Sequence, residues 1–280
     1  MTVLPFGRRC FAASAALLAL AGCDRVTNYP GVHELPPTPV AVVPAAPPAP
    51  IVFPANPVSC DPAAPVCGAG EGCCERCCRP GDGPVCLPLV GGGCPLPDLT
   101  VDQKMLQASV AREPFTPDAK TCPEALECLG GTGPRQLLRF TTAARNDGTA
   151  PFFVGKPAEL PELFHWSDCE QHWRQGNVME FRLKDTSGNV VATGHKAGFC
   201  LMDDMDFKQT GKTPTFNCAD QGISPGWADL YGNPLDCQWV DVTGVKAGDY
   251  TLEVEINADH RFLEGDYQNN VSTAPVHLAP

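Results

Sequence analysis

The sequence predicts an all-β protein whose main domain is a disulfide-pinned, sandwich-like fold, and three observations predict it. Short runs of β-branched and aromatic residues, several alternating with period two, recur between turn signals from Leu137 to Ile256. No long segment combines helical period with caps, Asp102 to Val110 coming nearest to one. Sixteen cysteines occur in 280 residues, and six of them are spread through the region that also carries the aromatic and branched side chains.

The elements follow in chain order. Residues 1–22 read as a signal peptide, with Arg8 and Arg9 at its start and a short apolar run from Cys10 to Ala21. That run falls below the ~20 residues that span a bilayer. Its end, Leu18-Ala19-Leu20-Ala21-Gly22-Cys23, resembles the lipobox of bacterial lipoproteins. The resemblance implies lipidation at Cys23 and an anchor to a membrane of the bacterial envelope, on its periplasmic or cell-surface side. A plain secretory signal with an incidental cysteine is the alternative. Residues 23–58 form a Pro/Ala-rich linker with ten prolines between Pro30 and Pro57. Proline fixes φ and removes an amide donor, so this stretch is expected as an extended spacer or a disordered linker.

Residues 59–95 are a cysteine-rich module holding Cys60, Cys67, Cys73, Cys74, Cys77, Cys78, Cys86 and Cys94. Gly and Pro separate them and large apolar residues are almost absent, so covalent staples must replace a core. Four disulfides are expected, with connectivity open. Cys74 and Cys77 have the spacing of half a zinc site, but no histidine accompanies them.

Residues 96–280 supply the β-rich domain. Strands are expected at Leu137 to Thr141, Val178 to Leu183, Val190 to Thr193, Gln238 to Val242 and Tyr250 to Ile256. Asp185-Thr186-Ser187-Gly188-Asn189 makes a hairpin turn between the second and third, and Lys246-Ala247-Gly248-Asp249 a turn before the last. The formal charge of -12, or -14 once Arg8 and Arg9 leave with the signal, argues against a nucleic-acid partner. The cysteine content argues against a reducing cytosol and for export.

Several motifs in this domain resemble the lysyl oxidase catalytic domain. They are Pro97-Asp98-Leu99, Gln107-Ala108-Ser109, Leu137-Leu138-Arg139-Phe140 and Gly194-His195-Lys196-Ala197-Gly198-Phe199-Cys200-Leu201. Further on come Gln221-Gly222-Ile223-Ser224-Pro225-Gly226, Tyr231-Gly232, Asp236-Cys237-Gln238-Trp239 and Asp266-Tyr267-Gln268-Asn269-Asn270-Val271. The similarity is colinear from about residue 96 to 273. Lysyl oxidases convert the ε-amine of peptidyl lysine to an aldehyde with copper and a lysine tyrosylquinone built from their own lysine and tyrosine. By position Lys196 matches that lysine and Tyr231 that tyrosine. Taken singly, each reads more plainly, as a surface lysine beside a turn and a tyrosine packing a loop.

The family's copper motif, Trp-x-Trp-His-x-Cys-His-x-His-Tyr-His, is met here by Phe164-His165-Trp166-Ser167-Asp168-Cys169-Glu170-Gln171-His172-Trp173-Arg174. Only His172 keeps a ligand position; Glu170 and Arg174 stand in the other two. A carboxylate suits copper less well than imidazole, and a guanidinium cannot deprotonate to bind it. Glu170 and Arg174, four apart, have the charges to pair and fill the position instead. The resemblance also implies disulfides Cys122–Cys128 and Cys169–Cys218. Cys200 and Cys237 match members of two further pairs whose partners are missing, which suggests a Cys200–Cys237 bridge.

These observations favour an exported lipoprotein that lacks copper-dependent amine oxidase activity and serves as a binding or envelope-structural domain, its partner a cell-surface or extracellular protein. On that reading neither copper nor the quinone is expected. The alternative is a copper- and quinone-dependent protein-lysine 6-oxidase. A third reading keeps a metal through Glu170, His172 and Asp168 for other chemistry.

Overall fold

The computed structural model describes residues 59, 67, 69, 71–74, 85–161, 163–176, 178–195, 198 and 200–280. The expected signal peptide, Cys23, the Pro-rich linker and Lys196 lie outside the described residues.

In the cysteine-rich stretch, β1 (Glu71–Cys74) pairs antiparallel with β2 (Val85–Pro88). Cys74, Val85 and Leu87 form a small buried cluster, far too little to hold a fold, and disulfides supply the rest. Cys67 bonds Cys86 and Cys74 bonds Cys94. Cys73 is oxidised as well. Cys74 is therefore not available to the zinc alternative.

The larger part begins with β3 (Leu99–Val101), α1 (Gln103–Ser109) and β4 (Ala111–Phe115), then α2 (Pro123–Glu127), β5 (Arg135–Arg139), β6 (Thr142–Asn146) and β7 (Phe152–Gly155). It continues through β8 (Phe164–Ser167), β9 (His172–Gln175), β10 (Met179–Asp185), β11 (Val190–His195) and β12 (Gln221–Ile223). It ends with β13 (Ala228–Tyr231), β14 (Trp239–Asp241), β15 (Gly248–Ile256) and β16 (Val271–Leu278). α1 occupies the one segment with helical period, and the Asp102 carboxylate caps it by accepting from the Met105 amide at 2.9 Å. All the expected strands form.

Every described pairing is antiparallel, but the strands divide into several small sheets rather than two broad ones. The widest has the order β11-β10-β15-β16, and three-stranded sheets β13-β6-β3 and β14-β5-β4 accompany it. The predicted turn closes the β10–β11 hairpin, the Asp185 carboxylate accepting from the Ser187 and Asn189 amides. Alternation along β10 and β15 sends Phe181, Leu183, Leu252, Val254 and Ile256 inward, where they meet Leu99, Val101, Leu138, Phe140 and Phe152 in one core. The buried Glu264 carboxylate ties β3 to the connection between β15 and β16, accepting from the Leu99 amide and the Asn257 and Asn270 side chains.

The disulfide frame corrects the expected pairing at all three bridges. Cys122 bonds Cys169, Cys128 bonds Cys237, and Cys200 bonds Cys218. The reason lies in α2, which has Cys122 at its N-cap and Cys128 at its C-cap. Six residues of helical rise separate them by about 9 Å, beyond the roughly 7 Å Cα limit of a disulfide. Each therefore reaches across the fold, and all six cysteines find partners among themselves.

Candidate functional site

β8 and β9 form a hairpin on the register Phe164↔Gln175, His165↔Arg174, Trp166↔Trp173, Ser167↔His172. Its turn is held from below by the Cys122–Cys169 disulfide to α2. From the same helix the Glu124 carboxylate accepts the Ser167 hydroxyl at 2.6 Å. That hydrogen bond, ahead of Glu124's own backbone bond, holds this carboxyl below its ordinary value of 4.5.

Glu170, His172 and Arg174 converge inside the hairpin. One carboxylate oxygen, Glu170 Oε2, lies 3.3 Å from His172 Nε2 and 3.4 Å from Arg174 Nε, with the Glu170 and Arg174 side chains 7% and 4% exposed. The ion pair expected between Glu170 and Arg174 is therefore present. Burial raises the Glu170 pKa; the Arg174 charge opposes that without cancelling it. The second imidazole nitrogen, Nδ1, sits 3.1 Å from the Glu170 carbonyl oxygen. A carbonyl only accepts, so a hydrogen bond there uses the Nδ1–H tautomer. An ion approaching Nε2 would have to displace the Glu170 carboxylate and stand against the Arg174 cation.

Asp168 does not join this group. It is exposed, and its carboxylate accepts the Trp166 indole N–H at 3.0 Å. Among the described residues, the three-donor cluster close enough for an ion is Cys122, Glu124 and Cys169, and its two sulfurs are bonded to each other. The Glu170, His172, Asp168 reading is thus corrected: the strand register and the exposed turn keep the third carboxylate out.

Tyr231 closes β13 in a different setting. It is 2% exposed, and its hydroxyl donates to the Cys200 carbonyl at 3.3 Å. Burial is the main cause that pushes its phenol well above 10, with the neighbouring Asp229 carboxylate adding to it. Asp204 lies along the same strand, accepting from the Leu230 amide at 3.1 Å, and burial raises its carboxyl as well. The loop after Tyr231 is fixed by Arg139, whose guanidinium donates to the Asn233 carbonyl at 2.9 Å and rests on the Trp239 ring at 4.5 Å.

Gly194 and Gly198 are both pressed against neighbouring backbone. A Cβ on Gly194 would stand 2.3 Å from the Trp239 carbonyl oxygen, and one on Gly198 would stand 2.3 Å from that of Gln175. Only glycine allows such approach. Gly198 rests on Gln175 of β9, the residue after Arg174, and the Cys200 carbonyl accepts from Tyr231. The two halves of the site are thereby linked through one short stretch of chain.

Glu124, Ser167 and Gln175 around the hairpin, and Asp204 and Asp229 around the phenol, were not read from the sequence. Asp229 had a usable signal, since a residue two before Tyr231 on a strand shares its face. Glu124 had none, because its role depends on a disulfide that brings α2 beneath the hairpin.

A disulfide-pinned, antiparallel β domain with a buried tyrosine beside a glycine-gripped segment and a polar hairpin defines the class of protein. The lysyl oxidase family model matches residues 100–279, and the chain belongs to that family. It is 37% identical over 190 residues to human protein-lysine 6-oxidase, covering 63% of this chain and 44% of that protein. Human lysyl oxidase homolog 1 is 36% identical over 196 residues, 65% of this chain and 33% of its own length. Lysyl oxidase homolog 2B of Danio rerio is 35% identical over 184 residues, covering 62% of this chain and 24% of its own. The chain therefore spans less than half the length of these relatives.

Proposed function

We propose that this chain is an exported, lipid-anchored lysyl-oxidase-like domain that acts by binding or as part of the envelope, without copper-dependent amine oxidation. The observation that carries the reading is the closed Glu170–His172–Arg174 cluster. Its residues do not fit a copper ion: it offers one imidazole, set against a buried carboxylate, and a permanent cation where a ligand is needed. Without a redox metal at hand, Tyr231 remains a phenol, and its raised pKa keeps it protonated at neutral pH.

Export is supported by the disulfides, which persist in oxidising compartments. Among the described residues no helix is long and apolar enough to cross a membrane, and attachment is assigned to Cys23. A cell-surface or extracellular protein is the partner this placement favours. Exported protein from copper-replete cells provides the test, by copper analysis and redox-cycling quinone staining. Substoichiometric copper and no stain are expected. Stoichiometric copper with a stain lost on Tyr231→Phe would reinstate the protein-lysine 6-oxidase reading.

A further inference from the structure

Two strands alone are marginal as a structure, and β8 and β9 hydrogen-bond only to each other among the described strands. Phe164 enters the main core and Trp173 packs against it; beyond these, the hairpin is fixed by the disulfide at its turn, the Ser167–Glu124 hydrogen bond and the buried charged cluster. Two carboxylates, Glu124 and Glu170, feel the charge of the same guanidinium, Arg174. That guanidinium is almost wholly enclosed, so its charge cannot be left to solvent. The next residue along β9, Gln175, carries the carbonyl against which Gly198 is pressed. From Gly198 the chain runs two residues to the carbonyl that holds the Tyr231 hydroxyl.

We propose that Arg174 is an internal cation standing where the family places its metal, and that the Glu170–Arg174 pair is a metal-free lock on the hairpin. Through β9 the lock also positions Gly198 and Cys200 and, beyond them, the Tyr231 hydroxyl. Arg174 is thus a positioning residue that substitutes for an ion in structure while excluding it in chemistry. The inference rests on the reading that the chain does not work through copper, but it makes a separate claim. The cation site is occupied by the protein itself, and exchanging two side chains should reopen it to metal.

The test compares the exported full chain with Arg174→Met, Glu170→Gln, their double variant, and a Glu170→His/Arg174→His double variant. Either single substitution should lower the melting temperature, and the first double variant should lose less than the sum of the singles, as coupled partners do. Amide exchange at Gly198 and Cys200 should rise by about tenfold or more in the singles, because local opening there depends on the lock. The wild type should show no melting shift with Cu(II). The double-histidine variant should take up about one equivalent of Cu(II) and gain melting temperature from it.

Unchanged melting and unchanged exchange in both singles would overturn the proposal. So would a wild-type chain that takes up one equivalent of Cu(II) through His172. Should the double-histidine variant fail to fold, the coupling cycle and the exchange data decide alone. A copper-free wild type that nonetheless oxidises amines would defeat the proposed function and leave the lock standing. Additive single variants in an inactive, copper-free protein would do the reverse.

Discussion

The hairpin and the Tyr231 pocket solve the same problem, buried polar groups, in opposite ways. In the hairpin the groups are opposite in sign and set against one another, Glu170 facing Arg174 and His172, although burial raises the Glu170 carboxyl as well. Around Tyr231 they are held toward their neutral forms by burial, the phenol and the Asp204 carboxyl both shifted upward. Removing one member of a buried charge pair strands the other, whereas losing a neutral hydrogen bond costs far less. The hairpin is accordingly the brittle half of the site, and the tyrosine pocket the tolerant half.

The comparison can be broken in several places. The largest effect is expected from the bridge Cys128–Cys237, which spans a sequence separation of 109. Its removal should cost about 4–5 kcal/mol by chain entropy, against about 3 kcal/mol for Cys200–Cys218, with a separation of 18. Denaturant unfolding of the two Cys→Ser pairs measures the ranking. Next comes Arg174→Met, expected to destabilise by about 3 kcal/mol because Glu170 is left unbalanced in a buried setting. Gly198→Ala follows at about 1–3 kcal/mol, since the added carbon forces β9 and its neighbour apart. Tyr231→Phe should cost about 1–2 kcal/mol, the worth of its hydrogen bonds to the Cys200 carbonyl and the Asp229 carboxylate. Thermal melts of these three variants sharpen the contrast directly, and an Arg174 effect no larger than that of Tyr231 would erase it.

The smallest effect is on pH. Burial raises the carboxyls of Glu170, Asp204 and Glu264 above their ordinary values of 4.5, 3.8 and 4.5. A raised folded-state pKa stabilises below the unfolded value, and that contribution is lost as pH rises through the folded one. The carboxyls of Glu124, Asp147, Asp241 and Glu253 are held below their ordinary values, so their contribution is lost as pH falls through their folded values. On these groups, stability should therefore peak within the ordinary carboxylate range, where the two windows meet, and decline on either side. Melting curves taken across that interval should show the alkaline limb flattened in Glu170→Gln.

Much of this was legible from residues alone, and for physical reasons. Period-two alternation reports which face a strand buries, so β10, β11 and β15 could be placed, as could the Asp185 turn. The Glu170–Arg174 pairing followed from opposite charges four residues apart. The disulfides were misread because pairing depends on three-dimensional reach: a five-residue helix between Cys122 and Cys128 converts neighbours in sequence into opposite ends of a rod. Asp168 failed as a third ligand for a similar reason, since the hairpin turn points it to solvent and the Trp166 indole. Glu124 was invisible for want of any local pattern, its contact with Ser167 arising from the same misread disulfide.

The central claim is that Tyr231 is an unmodified phenol and Lys196 a free amine. Peptide mass spectrometry of exported protein from copper-replete cells tests it most directly. Separate peptides carrying unmodified Lys196 and unmodified Tyr231 are predicted. A single cross-linked species joining the two, with the mass of an oxidised ring, would contradict the account.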